Sequence, residues 1–306
     1  MPGKLVSIKK TAMSSGKCDV NEPRLSEAIP YINAFSGKRF VLKIGGSVLD
    51  DLSLLPSLIE DVVFLKKVGI NVVLVHGGSR QLNKAMELKG LKVQSVNGLR
   101  VTSAEVLELA AKVFHEISVE IEKEIKEHGY KCIIFGRESG LVKSKQTSNL
   151  SLGFVGDPQS VETTLLENLA DSVIPIVSCV TAGTKPGDIG FNVNADDVAG
   201  IVAAAIKAEK VIFMTNVKGV LDEKGNLLSS LTVSQTEDLI KRKIIHGGMI
   251  PKVHTCLSAL KRGAKKCHII EGSMHSFMNE ILTDKGIGTE FVKDDEIDHQ
   301  NSYQSH

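Results

Sequence analysis

From Arg39 onward, short uninterrupted apolar runs alternate with longer stretches of helical periodicity. VLKI (41–44), VVLV (72–75), CIIF (132–135), IPIVS (174–178), VIFMT (211–215) and CHII (267–270) lack the polar alternation of a half-exposed strand. Apolar on both sides and separated by helices, they predict an α/β fold with a mostly parallel sheet covered on both faces. Helices are expected over 54–67 (with Gly69 as its stop), 80–89, 103–128, 196–207, 233–241, 248–262 and 276–283. Thr102 and Glu105 have capping-box spacing at the start of the longest helix. The segments 141–145 and 152–156 alternate like a hairpin or small flap, and a final strand is expected over 288–292.

Two of the apolar runs end in paired glycines, FVLKIGGS (40–47) and VVLVHGGS (72–79). Glycine tolerates positive φ and has no side chain, so such a turn lets backbone N–H groups approach an anion. NVNAD (192–196) and GGMIPK (247–252) follow. With Lys43 and Lys252, these turns point to a phosphoryl-transfer site. Each piece alone has a plain alternative: a glycine pair is commonly a tight turn, a lysine is commonly solvated, and Asn-x-Asn-x-Asp can simply cap a helix. The ordered combination is far harder to explain that way. The chain has no G-x-x-x-x-G-K-[ST], no G-x-G-x-x-G after a strand and no H-R-D or D-F-G set. That excludes a P-loop, a dinucleotide fingerprint and a protein kinase.

The 306 residues with 42% apolar content suffice for one large domain or two packed lobes. Basic and acidic residues number 37 and 36, a net charge of +1, which gives no support for nucleic-acid or membrane-surface binding. A small charged metabolite fits better. Cys18, Cys132, Cys179, Cys256 and Cys267 form no C-x-x-C pair and read as reduced thiols. No apolar run reaches the ~20 residues of a membrane span. The first 23 residues are polar, carry Lys4, Lys9, Lys10 and Lys17 and lack arginine, a weak match to a transit peptide, so a cytoplasmic protein is expected.

Residues 1–22 and 296–306 read as disordered tails. Within 23–36, Leu25, Ala28, Ile29, Ile32 and Phe35 form an apolar stripe interrupted by Pro30, which should kink the helix. Such a helix has little to pack on within its own domain, so another subunit or plain solvent is expected to face it.

The ordered set KIGG, VHGGS, NGLRVT, GFNVNADD, TNVKGVL and IIHGGMIPK resembles the acetylglutamate kinases of the amino acid kinase superfamily, over about 24–292. The resemblance implies a three-layer α/β/α sandwich around a mainly parallel eight-stranded sheet. In domain 37–295, a lobe over about 37–190 would bind the acylated amino acid and one over about 191–295 would bind ATP. The implied reaction moves the ATP γ-phosphoryl group to the side-chain carboxylate of N-acetyl-L-glutamate, in arginine biosynthesis. Lys43 and Lys252 would stabilise the transferring group, and Asp196 would hold both. Gly45, Gly46 and Gly77 would bind the moving phosphate. Gly78, Ser79, Arg100 and Asn192 would bind the acceptor. Asn216, Val217, Lys218, Gly219, Val220, Leu221, Ile244, Ile245 and His246 would form the adenine and ribose loops. Magnesium would arrive with ATP, without a protein metal site of its own.

Two departures stand out: Ser79 replaces a third glycine, and Asn216 replaces an aspartate. The ends of the chain resemble the arginine-inhibited, hexameric branch, in which the N-terminal helix joins dimers. That resemblance implies an L-arginine site at Tyr31, His268, Glu280 and Gly286, with Glu280 as guanidinium partner, although Ser273 stands where an arginine is usual. Two alternatives stay open: a kinase for a related carboxylate such as a carrier-linked aminoadipate, and a non-catalytic arginine-sensing scaffold.

Overall fold

The structure, a computed structural model, describes residues 25–45, 48–49, 52–96, 98–284 and 286–296. Gly46, Cys18 and both tails but for its residue 296 lie outside the described residues. The central sheet is formed by β1 (Arg39–Ile44), β2 (Asn71–His76), β5 (Lys131–Phe135), β8 (Val173–Val177), β11 (Lys210–Thr215), β12 (Ser230–Thr232), β13 (Lys266–Glu271) and β14 (Thr289–Val292). Their order is β12-β14-β13-β11-β1-β2-β8-β5. Every pairing from β13 to β5 is parallel, and only β13 with β14 is antiparallel. The mainly parallel eight-stranded sheet is as expected.

Successive strand residues face opposite sides of the sheet. On β1, Phe40, Leu42 and Ile44 therefore join one core, and Val41 joins the other. On β2, Val72 and Leu74 separate from Val73 and Val75 in the same way. The first face is covered by α1 (Leu25–Phe35), α2 (Leu55–Lys67), the end of α4 (Ala104–Glu127) and α9 (Ser276–Ile281). The second is covered by α3 (Ser79–Leu88), the start of α4, α6 (Ala195–Ala205) and α8 (Met249–Arg262). Truncating one of these fully buried side chains, such as Leu42 or Phe40, should cost ~2–5 kcal/mol. Lys43 has the parity of Val41, so it leaves the sheet on the α6–α8 side. That parity alone aims it at the site described below.

Several local expectations change. The cap of α4 is Ser103, whose hydroxyl accepts from the N–H of Val106, so the Thr102–Glu105 capping box does not form. Thr102 instead donates its hydroxyl to the carbonyl of Arg100. The hairpin partner of β6 (Val142–Gln146) is β7 (Gly156–Val161), not 152–156, and both join a small sheet with β9 (Val180–Gly183) and β10 (Phe191–Asn192). Among the described residues, no helix is long and apolar enough to cross a membrane.

The N-terminal helix does find partners in its own domain, contrary to expectation. It is continuous through Pro30, and Ala28 is buried. Phe35 packs edge-on against Phe40, and the ammonium of Lys210 lies 5.3 Å from the Phe35 ring centre. Tyr31 donates to Asp284 at 2.8 Å, and Glu27 accepts from the N–H of Asp284.

Candidate active site

The carboxyl ends of parallel strands carry the site. β1 lies between β2 and β11, where the strand order reverses, and ligands of open α/β sheets bind outside such a point. Gly45 continues β1 and Gly77 continues β2, and the N–H of Gly77 reaches the carbonyl of Ile44 at 3.4 Å. A Cβ on Gly45 would lie 2.3 Å from the carbonyl oxygen of Met214, so only glycine lets β1 pass β11 this closely. A Cβ on Gly78 would enter the space of Phe114 and Ile117 on α4.

These turns line a cleft of about 460 Å³. The cleft is bordered by Lys43, Gly45, Gly77, Gly78, Ser79, Arg80, Arg100, Asn192, Asn194, Asn216 and Lys252, among others. Thus Gly45 and Gly77 of the expected phosphate turns, both lysines and all the expected acceptor residues come together. Four basic side chains and no carboxylate line it among the described residues. Asp196 stands behind them: its Oδ1 lies 2.7 Å from Nζ of Lys43, with both side chains largely buried. The contact is an ion pair rather than an aligned hydrogen bond. Asn194 caps α6 by accepting from the N–H of Asp196, which fixes the first turn that carries this carboxylate. Lys252 sits in the first turn of α8, half-buried, and makes no ion pair among the described residues. Asp196 therefore holds one lysine here, not both.

On the acceptor side, Arg100 belongs to β4 (Leu99–Arg100), which pairs with β3 (Ser95–Val96) at the rim of the cleft. One guanidinium nitrogen donates to the carbonyl of Ser79 at 3.0 Å, and the other lies 3.4 Å from the Met86 sulfur. Partial burial pulls its pKa down, and among the described residues no carboxylate compensates the charge. A half-buried cation of this kind favours an anionic ligand. Asn192 donates its side-chain amide to Thr102 Oγ1 at 3.2 Å, while Thr102 bonds the Arg100 carbonyl. Thr102 is thus a buried link between two expected ligand-binding residues. In the sequence its spacing to Glu105 is that of a helix cap. Arg80 and Asn194 also line the cleft without having been singled out as site residues.

The expected nucleotide loop divides. Asn216 lines the cleft, whereas Val220 and Ile245 are buried in the core beneath it. Val217 and Ile244 are half-buried, and Lys218, Leu221 and His246 are exposed. The N–H of Val220 donates to Thr289 Oγ1, and Gly219, at φ 147°, leaves no room for a side chain beside Thr289.

The four expected effector positions also gather, away from the cleft. His268 Nδ1 contacts Glu280 Oε1, Gly286 lies against the Glu280 carboxylate, and Tyr31 reaches the neighbouring Asp284. Glu280 is buried and also accepts from the N–H groups of Ile287 and Gly288. Burial opposes its ionisation, but His268 and the N–H donors outweigh this and hold its pKa below the usual range. Its carboxylate is already occupied, so it is not a ready guanidinium partner.

The model of the amino acid kinase family matches residues 38–271. The acetylglutamate kinase of Pelobacter propionicus is 41% identical, over 88% of this chain and 97% of its own. That of Aquifex aeolicus is 43% identical, over 88% of this chain and 96% of its own. A solved N-acetylglutamate synthase from Neisseria gonorrhoeae, complexed with coenzyme A and N-acetyl-glutamate, superposes with a TM-score of 0.78 at 23% identity. This chain spans 88% of its own length and 62% of that one, a likeness in fold alone. The chain belongs to the amino acid kinase family, within its acetylglutamate kinase branch.

Proposed function

We propose that the cleft phosphorylates the side-chain carboxylate of N-acetyl-L-glutamate with ATP. The observation that carries this is a cleft lined by four cations and two glycine turns, with its acidic group withdrawn behind Lys43. It joins the kinship to acetylglutamate kinases. The acceptor oxygen forms a bond to the γ-phosphorus, the bond from that phosphorus to the β–γ bridging oxygen breaks, and its electron pair leaves on ADP. The nucleophile is already ionised, so no base is required. The obstacle is repulsion between a carboxylate and a polyphosphate. Lys43 and Lys252 lower it, and the glycine N–H groups orient the moving group, which is catalysis by positioning and charge neutralisation. Arg100, steadied through Thr102 and Ser79, clamps the acceptor's other carboxylate. No group of three metal-ligating side chains occurs among the described residues. Magnesium would arrive with the nucleotide and would supply neutralisation of phosphate charge.

On this reading the 37–190 half holds the acceptor, the 191–295 half holds ATP, and the enzyme works in the cytoplasm. L-arginine inhibits it by binding where α1 meets the C-terminal segment, and α1 joins dimers into a hexamer. Support for the arginine site is the convergence of both ends: Glu27 and Tyr31 already meet Asp284. An ADP-release assay with N-acetyl-L-glutamate, glutamate and aminoadipate derivatives, each with and without arginine, tests the acceptor and the effector. Turnover is expected with the first, and a fall on adding arginine. Preference for an aminoadipate derivative would overturn the acceptor, and an unchanged rate with saturating arginine would overturn the effector. Sedimentation of the full chain tests the hexamer.

A further inference from the structure

His76 is fully buried, yet it ends β2 and directly precedes the glycine turn at the cleft. Its Nδ1 lies 2.9 Å from the carbonyl oxygen of Gly77, and its Nε2 lies 2.7 Å from Oγ of Ser118 on α4. A carbonyl can only accept, so the proton sits on Nδ1. Burial pulls the imidazole's pKa down to about 4, so the ring is neutral near pH 7. Its Nε2 then accepts from the Ser118 hydroxyl, for which the carbonyl of Phe114 is the competing acceptor at 3.1 Å. The preceding peptide is held too, because the thiol of Cys179 donates to the carbonyl of His76.

Two consecutive glycines leave the peptide between them free to flip, since neither has a Cβ to restrict it. A trans peptide points its C=O and N–H in opposite directions, and no described peptide is cis. Drawing the Gly77 carbonyl back to the imidazole therefore turns the Gly78 N–H outward, towards the cleft that Gly78 lines. No backbone carbonyl of a described residue takes that N–H. We propose that His76, backed by Ser118, is a positioning residue: its Nδ1–H locks the Gly77–Gly78 peptide so that the Gly78 N–H faces the anionic ligand. The proposal rests on the reading of this turn as part of the phosphoryl-transfer site.

Asparagine and glutamine at position 76 separate this role from mere packing. The amide nitrogen of asparagine takes the place of Nδ1, and that of glutamine the place of Nε2. With the His76→Asn and His76→Gln chains compared by steady-state kinetics, His76→Asn should keep kcat within about threefold. His76→Gln should lose at least ~10-fold, less than the ~100-fold or more of a deleted oxyanion donor because the Gly78 N–H is misaimed rather than removed, with KM for ATP unchanged. Glutamine matching or exceeding asparagine overturns the proposal. Should either variant fail to fold, the wild-type Gly78 amide is followed by NMR on adding an ATP analogue and N-acetyl-L-glutamate. Protection and a downfield shift are expected, and an amide that does not respond overturns the idea. Lys43→Ala is measured alongside. If it stays active, the reading of the site has failed; if it is dead while glutamine equals asparagine, only the role of His76 has failed.

Discussion

At the scale of single residues, the site is a problem in charge. Lys43 is nearly buried and has Asp196 at 2.7 Å, whereas Lys252 enters the same cleft without a counter-ion among the described residues. The contact with Asp196 fixes the direction of the Lys43 ammonium, so in the proposed reaction it is preorganised rather than reoriented. Lys43→Ala and Lys252→Ala should each lower kcat by about 100-fold or more, as removal of one such electrostatic contact does. On the proposed function both act on one migrating charge, so the double change should cost less than the product of the two. Steady-state kinetics on chains with native circular dichroism checks this, and full activity of Lys43→Ala would remove the central role given to it. The glycines differ among themselves. Gly45→Ala drives a Cβ into the Met214 carbonyl, an overpacking that should cost ~1–3 kcal/mol and be visible in urea unfolding. Gly77→Ala meets only Ala195, at an ordinary 3.5 Å, and should leave stability nearly unchanged. Equal losses for the two would mean that the close approach of β1 to β11 does not set the cost.

At the scale of elements, β11, β13 and β14 enclose a cluster of charges on the far side of the sheet's middle. Glu290 on β14 lies 3.1 Å from Lys266 and 3.7 Å from Lys210, with His268 at 3.6 Å. Burial alone would raise its pKa, but His268, Lys210 and Lys266 outweigh burial and bring it down to about 2. A carboxylate depressed on folding stabilises the native state above its unfolded pKa of about 4.3, and that stabilisation is lost as pH falls towards 2. Glu290→Gln should therefore be clearly destabilising at pH 7 and much less so at pH 3, in urea unfolding at both. An equal cost at the two values would refute the assignment of this group to the acid limb.

The same elements show what could be read in advance. The apolar strand runs were legible because parallel strands buried on both faces need no polar alternation. The convergence of Lys43, Lys252 and Asp196 was legible because glycine turns and a capped helix start surround them. The hairpin partner β7 was not: GDPQSV carries a proline and no apolar alternation, and it is held by pairing with β6 rather than by its own pattern. Thr102 has the spacing of a cap, but its neighbour Ser103 supplies the cap, and no one-dimensional spacing distinguishes the two hydroxyls. The pairing of Glu280 with His268 joins residues 12 apart and depends on how α9 folds back beside β13. Asp61 shows the same limit: from α2 it accepts the N–H groups of Phe277 and Met278 at the start of α9, over 200 residues away.

For the whole molecule, the sheet does more than join two halves. β1 brings Lys43 from the 37–190 half, and α6 and α8, packed together on the same face, bring Asp196 and Lys252 from the 191–295 half. On the proposed function a single cleft holds two anions that repel each other, and Lys43, which lines it, is proposed to stand between their charges. Each ligand alone stabilises the fold by RT ln(1 + [L]/Kd), about 2.7 kcal/mol at 100 times Kd. If Lys43 screens one anion from the other, a non-hydrolysable ATP analogue and N-acetyl-L-glutamate together should raise the unfolding temperature by at least the sum of their separate shifts. In Lys43→Ala the repulsion is unscreened, so the joint shift should fall short of the sum while each separate shift persists. Differential scanning calorimetry at fixed ligand excess over the measured Kd of each chain reads this directly. Additive shifts in both chains would place the ammonium outside the path between the ligands, and the charge-neutralising role would pass to Lys252 and the glycine turns.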